Sequence, residues 1–592
     1  MTYSVRETFL MSSKTLSPSG ARTETEVFAV HGADPEILAY AMAKYSRSAL
    51  SMRESLAEIS AQRAGQFLNT FYFQYGHRSI ADLAHIAFAV ERLSLLAAIV
   101  LVDETRWDGQ ERSTRYQNFL KSGWFFPDFG EDSAAAGLFA KTIDELFATY
   151  QKVSAAVFDQ LRARVARPES LKPEAYERTL RARAFDVARY LLPLATNTSL
   201  GQIVSARTLE TQVARLLAHP AAEVRDLGEK LRAAAAGPAW NVNAEAAQAF
   251  VEKLAEAERQ GLERQGLGTR DLGTRDAGTA SGDAKESGSN CAANSARSAN
   301  SADAADAANV PFSAAAAALF TREVRTAPTL VKYAQPNLYL QQTQAELVQA
   351  AEEVLAPLSS TTLPQVVVDL VERTESLEVE LAATLLYSAS HHPYRAIRDL
   401  VASFPAPRVE EIVAIGLKHR GPHDEALRAF HAGAALRFDI LMDIGGFRDL
   451  HRHRRVTQIL QGFTGRHGYE LPGAADLPAG ADILAEAGVL GEFRAAIDAA
   501  HAAAAQIASG SAPEAAQSAL YLLPLATRIR ALFKMDFAEA QYIAELRSAP
   551  AGHFSYRRVA WEMYRALERQ HPTLARHIRA TDFTQPIDLF QR

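Results

Sequence analysis

The segment YLLPLAT occurs twice in this chain, at Tyr190–Thr196 and again at Tyr521–Thr527. A seven-residue identity in an apolar stretch that contains proline is not expected by chance in 592 residues. Repetition at a fixed offset is typical of a duplicated architecture. A weaker echo lies upstream, where histidines eight residues apart occur at His77 and His85 and again at His423 and His431. The sequence therefore predicts two related halves.

Composition limits the class of protein. The hydrophobic fraction of 48% suffices for two or three cores, and the net charge of −6 offers no bulk attraction to nucleic acid or membrane. The N-terminus lacks the apolar core of a signal peptide, and the longest aliphatic run, Leu95–Val102, is too short to cross a bilayer. The single cysteine, Cys291, excludes an intrachain disulfide and a cysteine-based zinc site. We expect a cytoplasmic protein with no metal, no nucleic acid polymer as partner and no membrane attachment.

A change of composition separates the halves. From about residue 261 to 309 the chain is rich in Gly, Ser, Ala, Asn and Asp, lacks aromatic residues and repeats LGTRD in tandem. Such a segment cannot bury enough apolar surface to offset its ordering entropy, so we interpret it as a disordered, flexible linker; the alternative is a tail that docks a partner. The predicted divisions are a tail at 1–25, a first domain at 26–255, the linker at 256–312 and a second domain at 313–592.

Most of the periodic segments are helical. Apolar residues at helical spacing predict helices at Asp34–Gly65, Leu180–Leu192, Glu210–His219, Gln344–Ala356, Ser376–Ser388, Glu492–Ala508 and Phe554–Arg569. Strands are predicted at Glu26–Val30, Ile86–Val90 and Leu436–Leu441. This balance predicts two tandem α+β domains, both helix-rich.

Two polar motifs differ between the halves. The second half has RHR at Arg452–Arg454, where paired guanidiniums suit a phosphate; the alternative is a solvated basic patch. The first half has ERSTRY at Glu111–Tyr116, whose hydroxyls and arginines suit a monophosphate; the alternative is a polar turn. No histidine or lysine lies close enough in sequence to activate Ser113 as a nucleophile.

A third candidate follows the first YLLPLAT copy. Arg215 and His219 are four residues apart, so on a helix they share one face and can present both side chains to a ligand. The alternative is a basic last turn that complements the helix dipole. Spacing alone leaves both interpretations open.

Together these pieces resemble the flavin-dependent thymidylate synthases. That family has a histidine and a serine ahead of an acidic residue, then RHR, then SxRY after a fixed gap, and later an arginine before leucine and proline. The first half matches through His77, Ser79 and Asp82, through the SxRY at Ser113–Tyr116, and through Arg189 before LLP. The second half matches through RHR and Leu523-Pro524, and more loosely through Arg547 and His553.

Each half also departs from the family pattern. In the first half Asp103-Glu104-Thr105 replaces RHR, and two carboxylates would repel a phosphate. In the second half Gly462 and Thr464 replace the serine and arginine of SxRY, and Leu520 replaces the counterpart of Arg189. Because the two surviving motifs are complementary, we expect one composite site between the halves.

The resemblance implies an activity. It implies reductive methylation of dUMP to dTMP at that composite site, with FAD as cofactor and with NADPH and methylenetetrahydrofolate as co-substrates. The alternative is a catalytically inactive or redox-only paralogue that still binds flavin or nucleotide. The resemblance also implies self-association, for which a dimer of two-domain chains is the form we expect.

The resemblance assigns roles to individual residues. It gives Arg452, His453 and Arg454 to the flavin, with His77, Ser79, Glu111, Arg207 and His219 lining it. It gives Ser113, Thr114, Arg115 and Arg189 to the nucleotide phosphate, and Arg215 to the pyrimidine. Arg215 and Arg452 are the implied catalytic residues.

Overall fold

The computed structural model describes residues 32–44, 52–58, 78–120, 122–264, 311–332, 334–358, 366–371, 376–419, 427–430, 436–472, 482–510, 514–575, 578–585, 588 and 590. The predicted N-terminal tail, the predicted strand at Glu26–Val30, His77, Cys291 and residues 265–310 of the predicted linker lie outside this set. The side chain of Ser79 also lies outside it.

The first half forms a small antiparallel sheet among helices. Its described helices are α1 (Pro35–Lys44), α2 (Met52–Glu58), α3 (Leu95–Leu101), α4 (Ser133–Arg164), α5 (Pro173–Ala188), α6 (Ala206–Leu217), α7 (Ala222–Ala236) and α8 (Ala244–Arg264). Its strands are β1 (His85–Ser94), β2 (Asp108–Glu111) and β3 (Asn197–Ser205), in the order β1-β3-β2. Short 3₁₀ helices cover Arg78–Leu83 and Arg189–Leu191.

The second part of the chain repeats this arrangement with additions. Its described helices are α9 (Phe312–Phe320), α10 (Leu338–Val354), α11 (Leu377–Ser388), α12 (Tyr394–Ala402), α13 (Ala406–Lys418), α14 (Ile444–Leu450), α15 (Ile483–Glu486), α16 (Leu490–Ala508), α17 (Ala515–Leu520), α18 (Phe537–Ser548), α19 (Phe554–Gln570) and α20 (Pro572–Ala575). Its strands are β4 (Val368–Leu370), β5 (Leu436–Asp443), β6 (Thr457–Leu460) and β7 (Arg528–Met535), in the order β4-β5-β7-β6. The 3₁₀ helices are Ala356–Leu358, Arg428–Phe430 and Gly465–His467.

The strands β1, β3 and β2 of the first sheet correspond to β5, β7 and β6 of the second, which has β4 as an extra edge strand. Strands β1 and β5 are the long first strands of this shared pattern. In each half the long first strand runs into a short helix through a capping side chain. The Ser94 hydroxyl accepts from the Ala97 amide (2.9 Å), and the Asp443 carboxylate accepts from the Gly446 amide (2.7 Å). The later strand does the same, where Ser205 caps α6 and Asp536 caps α18. Such caps satisfy amides that the first helical turn leaves free, so each strand ends where its helix begins.

The two YLLPLAT segments pair with each other. Pro193 and Pro524 lie opposite one another in an antiparallel bridge. The Leu194 amide donates to the Leu523 carbonyl (2.9 Å), and the Leu525 amide donates to the Leu192 carbonyl (2.9 Å). This is the pattern of a non-hydrogen-bonded pair, in which the opposed residues exchange no amide bonds, so proline fits there without loss. The repeat is therefore the seam between the halves.

Around the seam the halves share one core. A single cluster of buried side chains includes Leu95 and Leu194 from the first half and Leu525 and Phe554 from the second. A separate cluster lies under α10 to α13 and includes Tyr387 and Ile397. The main apolar burial thus couples the two halves.

The helix-rich fold of two related halves is confirmed, but the predicted linker boundaries need correction. Helix α8 continues to Arg264, so residues 256–264 are helical, and α9 begins at Phe312. The ring of Phe320 packs edge-on against Phe250, at 5.8 Å between centroids. The chain after the linker also returns to the first half, because the Ala327 amide donates to the Ala235 carbonyl (2.9 Å). Closer to the linker, the Ser313 amide of α9 donates to the Glu258 carboxylate of α8 (3.1 Å), so contacts between the two helices accompany the extension of α8.

Several elements lacked a clear signal in the sequence. Strands β3 and β7 were not predicted; β7 carries charged residues although most of it is buried. The 32-residue helix α4 was also missed. In these elements tertiary burial decides the structure more than local periodicity does.

The shared core makes a testable prediction about cooperativity. Leu194→Ala and Leu525→Ala each remove a fully buried side chain, so each should lower the free energy of unfolding by about 2–5 kcal/mol. Because both residues lie in one cluster, chemical denaturation should remain a single transition. Leu319→Ala, at a 72% exposed leucine, is the control and should change stability by less than about 0.5 kcal/mol. Two separate transitions would show that the halves unfold independently.

Candidate active site at the seam

The RHR and ERSTRY motifs meet at Tyr556 on α19. The Arg115 Nη1 donates to the Tyr556 hydroxyl (3.1 Å), and the Arg547 guanidinium lies over the Tyr556 ring, 5.6 Å from its centroid. Arg547 Nε in turn donates to His453 Nε2 (2.8 Å). Arg115 and His453 are 453 − 115 = 338 residues apart in sequence. Their two motifs nevertheless share neighbours in space.

A second set of contacts joins β2 to the end of α14. Arg452 Nη2 donates to the Gln110 side-chain oxygen (2.5 Å) and to the Gly109 carbonyl (3.4 Å). Arg448 approaches Glu111 at 3.5 Å, and both side chains are almost completely buried. Strand β2 of the first half thus runs directly beside the RHR segment of the second.

Arg115 is held by a carboxylate. Its Nε and Nη2 donate to the two oxygens of Asp186 on α5, at 2.7 and 3.0 Å, and both residues are buried. Burial by itself would raise the pKa of Asp186, but the Arg115 charge and hydrogen bonds outweigh it and hold that pKa well below its usual range. Burial opposes the charge of Arg115 too, yet Asp186 raises the pKa of Arg115. The Ser113 hydroxyl accepts from the Arg115 amide (3.2 Å), which fixes the turn.

Arg189 lies beside this turn, and some of its N–H donors form no hydrogen bond with the described residues. Its Nη1 donates weakly to the Thr114 hydroxyl (3.4 Å) and to Asp449 (3.5 Å). Its side chain is 2% exposed, and its Nε and Nη2 have no partner among the described residues. A Cβ added at Gly445 would come within 3.3 Å of Nη2, so the first turn of α14 packs closely on this guanidinium.

His453 is a neutral, fixed imidazole. Because its Nε2 accepts from Arg547, its proton is on Nδ1, which lies 3.0 Å from the Glu539 carboxylate. Burial, followed by the charges of Arg547, Arg454 and Arg452, lowers the pKa of His453 to about 3. The two helix α18 residues therefore orient the central residue of RHR.

Arg454 is a partly buried cation that forms no ion pair with a carboxylate among the described residues. Its Nη1 donates to the Val102 carbonyl (2.8 Å), and its guanidinium lies 4.7 Å from the centroid of the Trp107 ring. Its Nη2 has no partner among the described residues, and burial lowers the pKa of Arg454. Arg452 and Arg547 also lack a carboxylate partner in the described part of the chain. Three uncompensated cations thus gather at the seam.

The predicted residues of helix α6 do not join this group. Arg215 donates to Glu104 through Nε (3.0 Å) and Nη2 (2.8 Å), and to the Val100 carbonyl. Arg207 pairs with Asp82 (3.1 Å). The His219 Nδ1 accepts from the Ala221 amide, and burial, followed by Arg215 and Arg225, lowers the pKa of His219 to about 4.

The acidic pair that replaces RHR in the first half is also compensated. Asp103 accepts from Arg428 (2.5 Å) and lies 3.1 Å from His451 Nε2. Burial would raise the pKa of Asp103, but Arg428 and His451 outweigh it and lower that pKa well below its usual range. At Glu104 burial prevails over Arg215, so the pKa of Glu104 is raised. At the RHR position of the first half, the protein therefore provides both the carboxylates and the cations that neutralise them.

The correspondence of α6 with α18 explains this division. Arg215 bonds the segment after α3, and Arg547 bonds the equivalent segment after α14. The arginine of α6 therefore contacts the RHR position of the first half, and the arginine of α18 contacts that of the second half. The two YLLPLAT copies are 331 residues apart, and the same offset from Arg215 leads to Leu546 (546 − 215 = 331). Arg547 lies one position further along, so its match with the family pattern was only loose. Glu539, Tyr556, Arg448 and Asp449 were missed, and no motif marks them.

The described part of the chain has neither clustered metal ligands nor a membrane-spanning helix. It contains no group of three or more His, Cys, Asp or Glu side chains placed to hold a metal ion. None of its helices is both long and apolar enough to span a bilayer.

Family comparison agrees with the paired architecture. The model of the thymidylate synthase complementing protein family matches residues 28–237 and again residues 370–573. The chain belongs to this family. The two matches correspond to the two halves on either side of the seam.

Individual relatives extend over nearly the whole chain. A UPF0159 protein of Chlamydia pneumoniae is 26% identical across 95% of this chain and 93% of its own length. One of Chlamydia muridarum is 25% identical across 93% and 91%. Among solved structures, a flavin-dependent thymidylate synthase of Helicobacter pylori complexed with FAD and dUMP covers 34% of this chain and 89% of its own, with 16% identity and a TM-score of 0.21.

The Arg115–Asp186 pair predicts a pH-dependent stability term. Asp186→Asn leaves two buried guanidiniums, Arg115 and Arg183, without their carboxylate, so it should lower the free energy of unfolding at pH 7 by about 3–5 kcal/mol. The lowered pKa of Asp186 means that this stabilisation is present above the ordinary carboxyl pKa and is lost as the pH falls toward the lowered value.

The difference between the variant and the parent protein should therefore shrink below pH ~4, as measured by urea denaturation. Asp226→Asn, which removes an exposed partner of Lys230, is the control and should change stability little at any pH. A difference that stays constant from pH 7 to pH 3 would contradict the assigned pair.

Proposed function

We propose that this chain is an FAD-dependent thymidylate synthase-like enzyme with one composite site at the seam. The reaction is the reductive methylation of dUMP to dTMP, with methylenetetrahydrofolate as carbon source and NADPH as reductant. Family membership supports the reaction class. The link from Arg115 through Tyr556 and Arg547 to His453 supports a single site built from both halves.

The observation that carries the proposal is the uncompensated charge. Arg452, Arg454 and Arg547 approach one seam without a carboxylate partner among the described residues. Buried donors on Arg189, Arg448 and Arg454 also lack partners there, as does the acceptor Glu111 Oε1. The guanidiniums of Arg452, Arg454 and Arg547 are partly buried, so water only partly screens the repulsion between them, and the phosphates of a bound ligand would offset it. The residues therefore fit FAD together with a nucleotide monophosphate.

The proposed roles follow this geometry. Arg452, His453 and Arg454 hold the flavin, with Glu111 beside them and with His77 and Ser79 assigned by resemblance. Ser113, Thr114 and Arg189 hold the nucleotide phosphate, while Asp186 fixes Arg115 behind the turn. Arg547 takes the pyrimidine role that the resemblance gave to Arg215, because Arg547 bonds His453 whereas Arg215 bonds Glu104.

The chain's own contribution to the reaction is placement and charge stabilisation. FAD, when bound, supplies the transfer of reducing equivalents from NADPH to the methylene carbon. Arg547 and Arg452 provide fixed positive charge where the pyrimidine would gain electron density, and no protein nucleophile is required. His453, with its proton on Nδ1, stays neutral and so adds no further repulsion between these guanidiniums. The hydroxyls of Ser113 and Thr114 orient the substrate against them.

One observation favours a second candidate, a redox-only or inactive flavin-binding paralogue. Arg115, whose counterpart in the family motif faces the phosphate, is fully engaged with Asp186, Tyr556 and the Ala551 carbonyl. If these bonds persist with substrate present, phosphate binding loses one guanidinium. Cytoplasmic location and self-association remain predictions under either candidate.

Flavin content tests the proposal directly. The purified protein should show the visible absorption of FAD, and Arg452→Ala should weaken FAD binding by about 10–100-fold, the effect of losing a charged hydrogen bond. Arg455→Ala is a matched control, since Arg455 is adjacent, exposed and paired with Asp536. Growth of a thymidine-requiring strain with the gene, but not with the Arg452→Ala variant, would establish methyl transfer. A yellow protein that fails to restore growth supports the redox-only candidate, and a colourless protein that binds no added FAD contradicts both.

The choice between the two late helices gives a sharper test of the composite site. Arg547→Gln should weaken dUMP binding to the flavin-loaded protein by about tenfold or more, whereas Arg215→Gln should leave it nearly unchanged. Both variants remove one partly buried guanidinium of similar surroundings, so each controls for the other. Because Arg215→Gln also breaks the Glu104 pair, thermal stability is measured in parallel. A dUMP defect confined to Arg215→Gln would place the site in the first half instead.

A further inference from the structure

A basic cluster outside the composite site lies where the second half has lost SxRY. We call it the second-half basic cluster and define it as His391 and His392, between α11 and α12, with Arg466 and His467 after β6 and Arg530 on β7. These residues come from three separate parts of the second half. None of them contacts the group around Tyr556 in the described structure.

The cluster is a compact group of side chains. The rings of His391 and His467 meet edge-to-face, at 5.9 Å between centroids. The Gln461 side-chain amide donates to the His392 carbonyl (3.0 Å), which ties the α11–α12 connection to the end of β6. A Cβ added at Gly462 would lie 4.0 Å from His391 Cε1 and meet nothing nearer, so space remains beside the ring.

Several polar atoms of this group have no partner. Within the described residues, Gln461 Oε1, His391 Nδ1, His467 Nε2 and Arg530 Nε form no hydrogen bond. Gln461 is 1% exposed and Arg530 is 5% exposed, so water reaches these side chains poorly. Buried polar atoms left unpaired are destabilising, so several of them at one place form a group that a polar ligand can satisfy.

The charges around the cluster leave a positive excess. Arg530 pairs with Asp439 (2.8 Å), and Glu470 accepts from Arg528 (2.8 Å) and Arg558 (2.9 Å). Glu470 thus has two guanidiniums for one carboxylate. Arg466 is exposed and has no carboxylate within the described part of the chain.

We propose that the second-half basic cluster binds the phosphate group of a small molecule. Phosphate oxygens accept from Arg466 and from Arg530 Nε, and an imidazole N–H completes the set. A hydroxyl on the phosphate or on an attached sugar donates to Gln461 Oε1. Free phosphate and a nucleoside monophosphate share this chemistry.

This site accepts a smaller ligand than the composite site does. Near strand β6 the RHR position of the first half is occupied by Asp103, which pairs with Arg428. Arg428 also donates to the Gln458 carbonyl on β6. The Asp103–Glu104 pair already satisfies Arg428 and Arg215, so no cation there remains for a second phosphorylated group. The inference does not require flavin binding, because it uses none of the residues assigned to the composite site.

Sulfate is the first probe, because it presents four acceptor oxygens and a constant charge. The full-length Arg189→Gln/Arg452→Gln protein lacks one phosphate-binding and one flavin-binding guanidinium of the composite site and serves as the background. In that background, isothermal titration should show one saturable sulfate site, and Arg466→Gln should weaken it by about tenfold or more. Arg466 is exposed, so the substitution should not impair folding. Arg178→Gln, at an exposed arginine of α5, is the control for net charge and should leave sulfate binding unchanged.

Histidine NMR signals locate the site. Sulfate should shift the imidazole signals of His391 and His467 and leave that of His571 at its place. The same titration with dUMP identifies the natural source: tighter binding than sulfate indicates a nucleoside monophosphate, and equal binding indicates inorganic phosphate. No saturable binding, or binding that Arg466→Gln and Arg178→Gln weaken equally, would overturn the proposal. A colourless protein in the flavin experiment would leave these outcomes unaffected.

Discussion

The pairing of the two YLLPLAT segments is the constraint on which the rest of the structure depends. Pro193 and Pro524 lie at the centre, and the amides of Leu194 and Leu525 cross to carbonyls of the opposite half. The same segments also bind their own halves, since the Thr196 carbonyl accepts from the Leu95 amide. Each copy therefore fixes the helix after its own long strand and the relative position of the two halves at once. The identity of the repeat has a physical reason, because a self-complementary interface requires the same residues on both sides.

The sequence predicted the duplication and the helix-rich class, because each leaves a local signature. The composite site of ERSTRY and RHR stays a prediction. The sequence could not predict which late helix serves which motif. That depends on contacts such as Arg547 with His453 and Arg215 with Glu104, which join residues about a hundred positions apart and follow from packing. Nor could it predict that Asp186 would pair with Arg115, because the sequence around an aspartate in a helix does not indicate which arginine it will contact. The helical residues 256–264 escaped prediction for a related reason: the contact of Glu258 with Ser313 joins residues 55 positions apart and follows from packing.

The two positions related by the seam differ in how their charge is balanced. At one, Asp103 and Glu104 meet Arg428 and Arg215, so the protein itself provides every counter-ion. At the other, the corresponding segment is RHR, and its arginines donate to carbonyls and an amide oxygen. Where the second half has two arginines on either side of a neutral histidine, the first half has an acidic pair whose counter-ions belong to the protein. Because both ion pairs are partly exposed, each contributes little net stability, and we interpret them as structural contacts.

The first half also provides contacts that hold a cation of the second half in place. The partly buried guanidinium of Arg454 lies over the Trp107 ring and donates to the Val102 carbonyl, both of the opposite half. These contacts keep Arg454 near Arg452 and Arg547 despite the repulsion between like charges. The shared core around Leu194 and Leu525 offsets the resulting repulsion, because separating the halves to relieve it would expose that core to water. Ligand binding and the cohesion of the two halves are therefore coupled through the same seam, so a ligand that neutralises the arginines should also strengthen the association of the halves.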